Sequence, residues 1–136
     1  MMIIDATDLK LGRLATVAAK AALEGEEVTI INSEKAVITG NKDYIVRKYQ
    51  ARRERGGPHW GPFPPRMPDR FVRRTIRGML PYKTPRGRDA LKRVMCYIGN
   101  PHQLEAKSLD TAHISTSQTL RFMRVGAICE LLGGKQ

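Results

Sequence analysis

An α/β fold is predicted by three features of the sequence. A strand–helix–strand unit fills the first 32 residues, an alanine-rich stripe runs along its helix, and a further short strand follows two helices opened by proline. Strand, helix and strand within about thirty residues is the pattern of a right-handed crossover, hence of a parallel sheet under helical cover. At 136 residues the chain has room for one domain with a real core and too little for two, so residues 1–136 are read as a single domain.

Taken in order, Met2 to Ala6 is an apolar run suited to a buried strand. Thr7 or Asp8 is placed to cap a helix in which Leu11, Leu14, Ala15, Ala18 and Ala22 recur at helical spacing, and Gly25 is its expected stop. The small alanines let that helix approach the sheet closely. Glu27 to Asn32 reads as the second strand, whereas Ala36 to Thr39 is either a short strand or one helical turn, broken by Gly40-Asn41. A helical pattern resumes at Asp43 and runs into the basic Arg52-Arg53-Glu54-Arg55. Gly56 to Pro68 then holds eight Gly and Pro residues in thirteen positions, which excludes a regular helix or central strand and predicts an extended excursion. Pro68-Asp69 opens the next helix, which runs to Leu80, and Thr84-Pro85 opens another that ends near Val94. Val94 to Ile98 is a strand closed by Gly99-Asn100-Pro101. Ser115 or Ser117 is the expected cap of a last helix with Leu120, Met123, Ala127, Ile128 and Leu131 on one face.

Charge is where the sequence speaks of function. The net charge is +11 and the pI about 10.2, values that call for a polyanionic partner. Residues 47–93 carry 15 Lys and Arg against Glu54, Asp69 and Asp89, a local net of +12, while the other 89 residues net −1. The excess is thus one binding surface on an otherwise neutral domain. The N-terminus has no basic n-region or long apolar run, so no signal peptide is expected, and the Ala15–Leu23 run is broken by Lys20, so no membrane span is expected. Cys96 and Cys129 match no metal spacing and lie inside apolar patterns; they are read as core thiols in a reducing compartment.

The segment from Pro68 to Leu80 carries two stripes. One is apolar: Phe71, Val72, Ile76, Met79 and Leu80. The other is Arg70, Arg73, Arg74 and Arg77, at i, i+3, i+4 and i+7, with only Asp69 near enough in sequence to offset it. Like charges at these spacings cost roughly 0.2–0.5 kcal/mol per pair, and a merely solvated face would mix both signs. An all-arginine stripe is therefore read as an anion-binding face, because guanidinium meets phosphate with paired hydrogen bonds. His59, Trp60 and Phe63 sit in the excursion, where the aromatics either stack on unpaired bases or fold back as a small satellite core. Enzyme signatures are weak: Gly12 is a lone glycine after the first strand, and no metal, nucleophile-elbow or phosphate-loop motif occurs. No cofactor, metal or small-molecule substrate is expected. A general nucleic-acid-binding protein, a nucleotide-dependent enzyme and a peripheral membrane protein are the rival readings.

Several stretches resemble a known family. Arg77-Gly78-Met79-Leu80-Pro81, Arg86-Gly87-Arg88 and Tyr97-Ile98-Gly99-Asn100 are similar to the signature of the large-subunit ribosomal protein L13 family. Asp5-Ala6-Thr7 with Leu11-Gly12-Arg13-Leu14-Ala15, and Ile31-Asn32-Ser33-Glu34-Lys35 with Thr39-Gly40-Asn41-Lys42, extend the likeness over most of the chain. Pro81-Tyr82-Lys83-Thr84-Pro85-Arg86 and the Gly/Pro segment look like the archaeal form, with eukaryotic kinship. The resemblance implies a three-layer α/β/α domain around a small, mainly parallel four-stranded sheet, without catalytic activity. It implies an early-assembling protein of the cytoplasmic ribosome, bound to large-subunit (23S-type) rRNA beside neighbouring large-subunit proteins. Residue by residue it carries over Arg13, Lys42, Arg77, Arg86 and Arg88 as rRNA-binding. Charge pattern adds Arg47, Lys48, Arg52, Arg53, Arg55, Arg66, Arg70, Arg73, Arg74 and Lys83, and the stacking argument adds Trp60.

Overall fold

The computed structural model describes residues 1–101, 103–105 and 120–134. Its elements are β1 (Met2–Asp5), α1 (Leu11–Glu24), β2 (Val28–Ile31), β3 (Val37–Thr39), α2 (Lys42–Glu54), α3 (Pro68–Met79), α4 (Pro85–Lys92), β4 (Val94–Cys96), β5 (Phe122–Arg124) and α5 (Val125–Leu131). β1, β2 and β4 form a parallel sheet with β2 in the centre. Its register sets Met2, Val28 and Val94 in one row and Ile4, Ile30 and Cys96 in the next. Those rows share the core face, on which Ile4, Val28, Ile30 and Val94 are fully buried. The same cluster takes Leu14, Ala15, Ala18 and Ala22 of α1, Phe71, Val72 and Ile76 of α3, and Ala90 of α4. α1 was expected to lie close on the sheet; it packs chiefly along α3 and α4, with its alanines in the same buried cluster as the sheet residues.

One expectation about this sheet is corrected. Among the described residues the parallel sheet has three strands where the resemblance implied four, and the segment read as a short strand or a helical turn is strand β3, paired antiparallel with β5 in a separate two-stranded sheet. A 3-10 turn over Ser33–Lys35 redirects the chain after β2, and Val37 then bonds through its N–H to the Leu9 carbonyl at 2.9 Å, so its backbone is engaged away from the main sheet. On the second sheet face Ile3 and Thr29 are half-buried and Met95 is exposed, while Ile31, next along β2, is buried.

Neither Thr7 nor Asp8 caps α1, which starts at Leu11 behind Lys10 without a side-chain cap. Both candidates are engaged elsewhere. Asp5 accepts from the Thr7 amide (2.9 Å), the Thr7 hydroxyl (2.6 Å) and the Asn32 side-chain amide (3.0 Å), while Asp8 pairs with Arg124 at 3.2 Å. Burial pushes the Asp5 pKa up, but these bonds, with Lys35 nearby, outweigh it and hold the carboxyl below its ordinary value. Gly25 closes α1 as expected, in the left-handed region. The α2 start is set by Asn41, whose side chain accepts from the Asp43 amide at 3.1 Å.

The last helix is also corrected. Ser115 and Ser117 lie outside the described residues, and α5 begins only at Val125. Residues Phe122–Arg124 are extended because they pair with β3, and the Val125 amide continues that contact to the Ala36 carbonyl at 2.8 Å. The buried face is Val125, Ile128, Cys129 and Leu132; Leu120, Ala127 and Leu131 are exposed. Cys129 is fully buried and Cys96 half-buried against the core, both as free thiols, and burial pushes each up to about 12.

The Gly/Pro excursion folds back on itself where an extended chain was expected. Gly57 and Gly61 form an antiparallel bridge, closed by the Gly61 amide on the Gly57 carbonyl at 3.1 Å. Gly56 sits at φ +81°, and a Cβ there would collide with the Gly61 carbonyl, so a glycine is needed at this close turn. Trp60 at its tip is 92% exposed, which excludes the satellite-core reading.

Candidate RNA interface

α3 is the scaffold of the basic surface. Pro68 and Asp69 fill its first turn, where a missing N–H is harmless and an acid suits the positive end of the helix dipole. Phe71, Val72 and Ile76 anchor one face in the core, which aims the opposite stripe outward. Arg70 and Arg74 are exposed, while Arg73 and Arg77 are half-buried. Arg73 donates to the Leu91 carbonyl at 3.3 Å, and the Arg77 guanidinium lies 4.9 Å from the centre of the Tyr82 ring. Among the described residues no α3 arginine forms an ion pair. The stripe thus keeps its repulsion and its capacity for an external anion.

The refolded excursion gives that stripe a second wall. Residues Phe63–Met67 face α3 across an open groove of about 530 Å³, into which Arg66, Arg70, Arg73, Arg74 and Arg77 converge over an apolar floor that includes Leu91. Among the described residues no carboxylate lines it. On the other side of the Pro64–Pro65 ridge a smaller pocket of about 260 Å³ opens between the excursion, α2 and α3, and Arg74 borders both. α2 is held there by Ile45, which is buried, and by Tyr49, whose ring packs on Phe71 at 5.0 Å between centroids. Burial raises the Tyr49 pKa, partly offset by Arg52, which lies 5.5 Å from its ring.

The other sequence-derived cations are spread more widely. Arg52 and Arg55 line the smaller pocket, and Arg53 reaches toward Gly133 beside Arg66. Lys42, Arg47 and Lys48 lie along α2 but on neither groove wall, and Lys48 approaches the Tyr44 ring at 6.0 Å. Arg13 is exposed in the first turn of α1, and one turn on the Thr16 hydroxyl meets the Met79 sulfur at 3.6 Å. Lys83, Arg86 and Arg88 are exposed around the start of α4, where the Thr84 hydroxyl accepts from the Gly87 amide at 3.3 Å. Trp60 projects from the tip of the turn and lines neither groove.

Sequence reasoning missed two aromatic groups that the fold sets beside arginine, Tyr49 and Tyr82, whereas Phe63, one of the excursion aromatics, lines the groove. Tyr82 was findable, since it stands just beyond the helix end that carries Arg77. Tyr49 was findable as the aromatic three residues before Arg52 on α2, but its neighbours across the pocket, from the excursion and α3, were not.

Arg86-Gly87-Arg88 shows why a glycine sits between two arginines. Gly87 is buried, and a Cβ there would collide with the carbonyl of Pro81, backbone that cannot swing aside. Gly78, by contrast, lies in α3, where an added Cβ would meet nothing within 4 Å. Gly87→Ala is therefore expected to destabilise the fold by about 1–3 kcal/mol, as overpacking does. Gly78→Ala is expected to stabilise the free protein by up to about 1 kcal/mol through helix propensity. Paired urea melts of the two variants check both signs.

Comparison with known proteins gives this arrangement a family. The sequence profile described as Ribosomal protein L13 matches residues 1–103. The large ribosomal subunit protein uL13 of Methanocaldococcus jannaschii is 46% identical over 139 residues, covering 99% of each chain. Its counterpart from Methanococcus maripaludis is 45% identical over 139 residues with the same coverage. That of Haloarcula marismortui is 42% identical over 135 residues, covering 99% of this chain and 92% of the relative. The chain belongs to the ribosomal protein L13 family, in its archaeal form.

Proposed function

We propose that this chain is a structural, non-catalytic constituent of the large ribosomal subunit that binds and helps fold large-subunit rRNA during assembly, and so supports translation. Its place is the cytoplasmic ribosome, beside neighbouring large-subunit proteins. The observation that carries the reading is the convergence of five guanidinium groups on one open groove that no described carboxylate lines. Such a groove suits a phosphodiester backbone, whose charges are evenly spaced and fully ionised. The exposed cations beyond the groove (Arg13, Lys42, Arg47, Lys48, Arg52, Arg53, Arg55, Lys83, Arg86 and Arg88) are assigned to further phosphates, and the exposed Trp60 to a stack on an unpaired base. The buried rows of the sheet hold α3 in place while it does so. No described helix is long and apolar enough to cross a membrane.

Sedimentation of a cell lysate with detection of this chain tests the proposal. Comigration with the large subunit is expected, and a purely free pool sinks it.

A further inference from the structure

The pocket beside the arginine groove differs from it in kind. The groove is open and lined by five arginines, as a strand of phosphates requires. The pocket is smaller, about 260 Å³, and its apolar lining is made of ring side chains, Pro62, Pro64 and Pro65 on the excursion, Tyr49 on α2 and Phe71 on α3, with Leu132 just past α5. Its cations, Arg52, Arg55 and Arg74, are exposed residues in otherwise apolar surroundings, and no described carboxylate lines it. The Thr75 hydroxyl, also on its wall, donates to the Phe71 carbonyl at 3.1 Å, which leaves its oxygen able to accept. The two cavities share Pro64, Pro65 and Arg74 in their linings, so they adjoin each other.

We propose that this pocket takes one unstacked nucleobase of the rRNA, held against Tyr49 and the proline wall while Arg74 and Arg55 hold its flanking phosphates. The inference rests on the reading of the adjacent groove as an rRNA site. The chemistry is that of single-stranded RNA recognition: a planar apolar slot for a base face, guanidinium at the rim, and a polar atom for a base edge. Proline walls suit the task, because a slot already ordered loses less conformational entropy when filled. A duplex, whose bases are stacked inside, has nothing to offer the slot, so the segment bound here is a bulge, loop or junction.

Ultraviolet irradiation of large subunits containing this chain, followed by digestion and mass spectrometry of nucleotide–peptide adducts, tests the assignment. Adducts on the peptide holding Tyr49 are expected. Thr75→Leu, which puts an apolar branch into the pocket from a half-buried position and removes the hydroxyl acceptor, is expected to reduce them sharply. It is also expected to weaken binding of the isolated protein to purified large-subunit rRNA by about 5- to 150-fold, the range of one lost base–aromatic stack. The log–log salt slope should fall by no more than the two flanking contacts of Arg55 and Arg74 contribute, because every cation is retained. Adducts at Trp60 or Phe63 with none on the Tyr49 peptide overturn the base pocket and leave the groove reading standing, as does wild-type affinity in Thr75→Leu. No adduct anywhere in residues 47–93 overturns both.

Discussion

Replacing Arg73, Arg74 and Arg77 together by Gln is expected to lower rRNA affinity about 10²–10³-fold at 0.1 M salt while leaving the melting temperature within a few degrees of wild type. The first number follows from counterion release: three phosphate contacts, each contributing a log–log slope of roughly 0.7–0.9, relative to 1 M salt where that contribution vanishes. The second is a near balance. The variant removes every i, i+3 and i, i+4 repulsion of the stripe, each worth roughly 0.2–0.5 kcal/mol. Against this it loses the Arg73 bond to the Leu91 carbonyl and the Arg77 contact with Tyr82, each on the order of 1 kcal/mol. Filter binding and a thermal melt on the same preparation separate the two effects. If the triple variant unfolds, the stripe belongs to the internal scaffold and its assignment to RNA fails.

Ile76→Ala is expected to do the reverse. Ile76 is fully buried on α3, three residues from the Arg73 it helps to aim. Truncating it removes apolar contact and leaves a cavity, which costs about 2–5 kcal/mol. Against a typical stability of roughly 5–15 kcal/mol, that is a large fraction, read as a fall in the urea midpoint with an unchanged slope. Well below the transition its rRNA affinity should stay near wild type. A cost under about 1 kcal/mol would mean that α3 is not anchored where the buried rows place it.

Much of this was legible in sequence because local rules and tertiary structure agreed. Pro68 and Thr84-Pro85 mark helix starts with a mechanism that needs no partner, and the α3 stripes stood out because four arginines at helical spacing lack the acidic partners that a merely solvated face would carry. The failures share the opposite cause. Thr7 and Asp8 are good capping residues that were drawn to Asp5 and Arg124 by contacts that the helical pattern does not contain. Met123 and Ile128 belong to one apolar pattern, yet pairing with β3 claims the first for a strand. Eight Gly and Pro residues in thirteen correctly excluded helix, but glycine's left-handed turns at Gly56 and Gly61 let the excursion close on itself and build a wall of the groove.

The central claim is that this surface binds rRNA through many phosphate contacts. The salt dependence of binding to purified large-subunit rRNA tests it most directly. With about six to ten contacts, affinity is expected to fall by roughly 10³–10⁵ between 50 and 200 mM salt, in a straight log–log line. An affinity almost independent of salt would contradict the account and point to a partner held by apolar contacts.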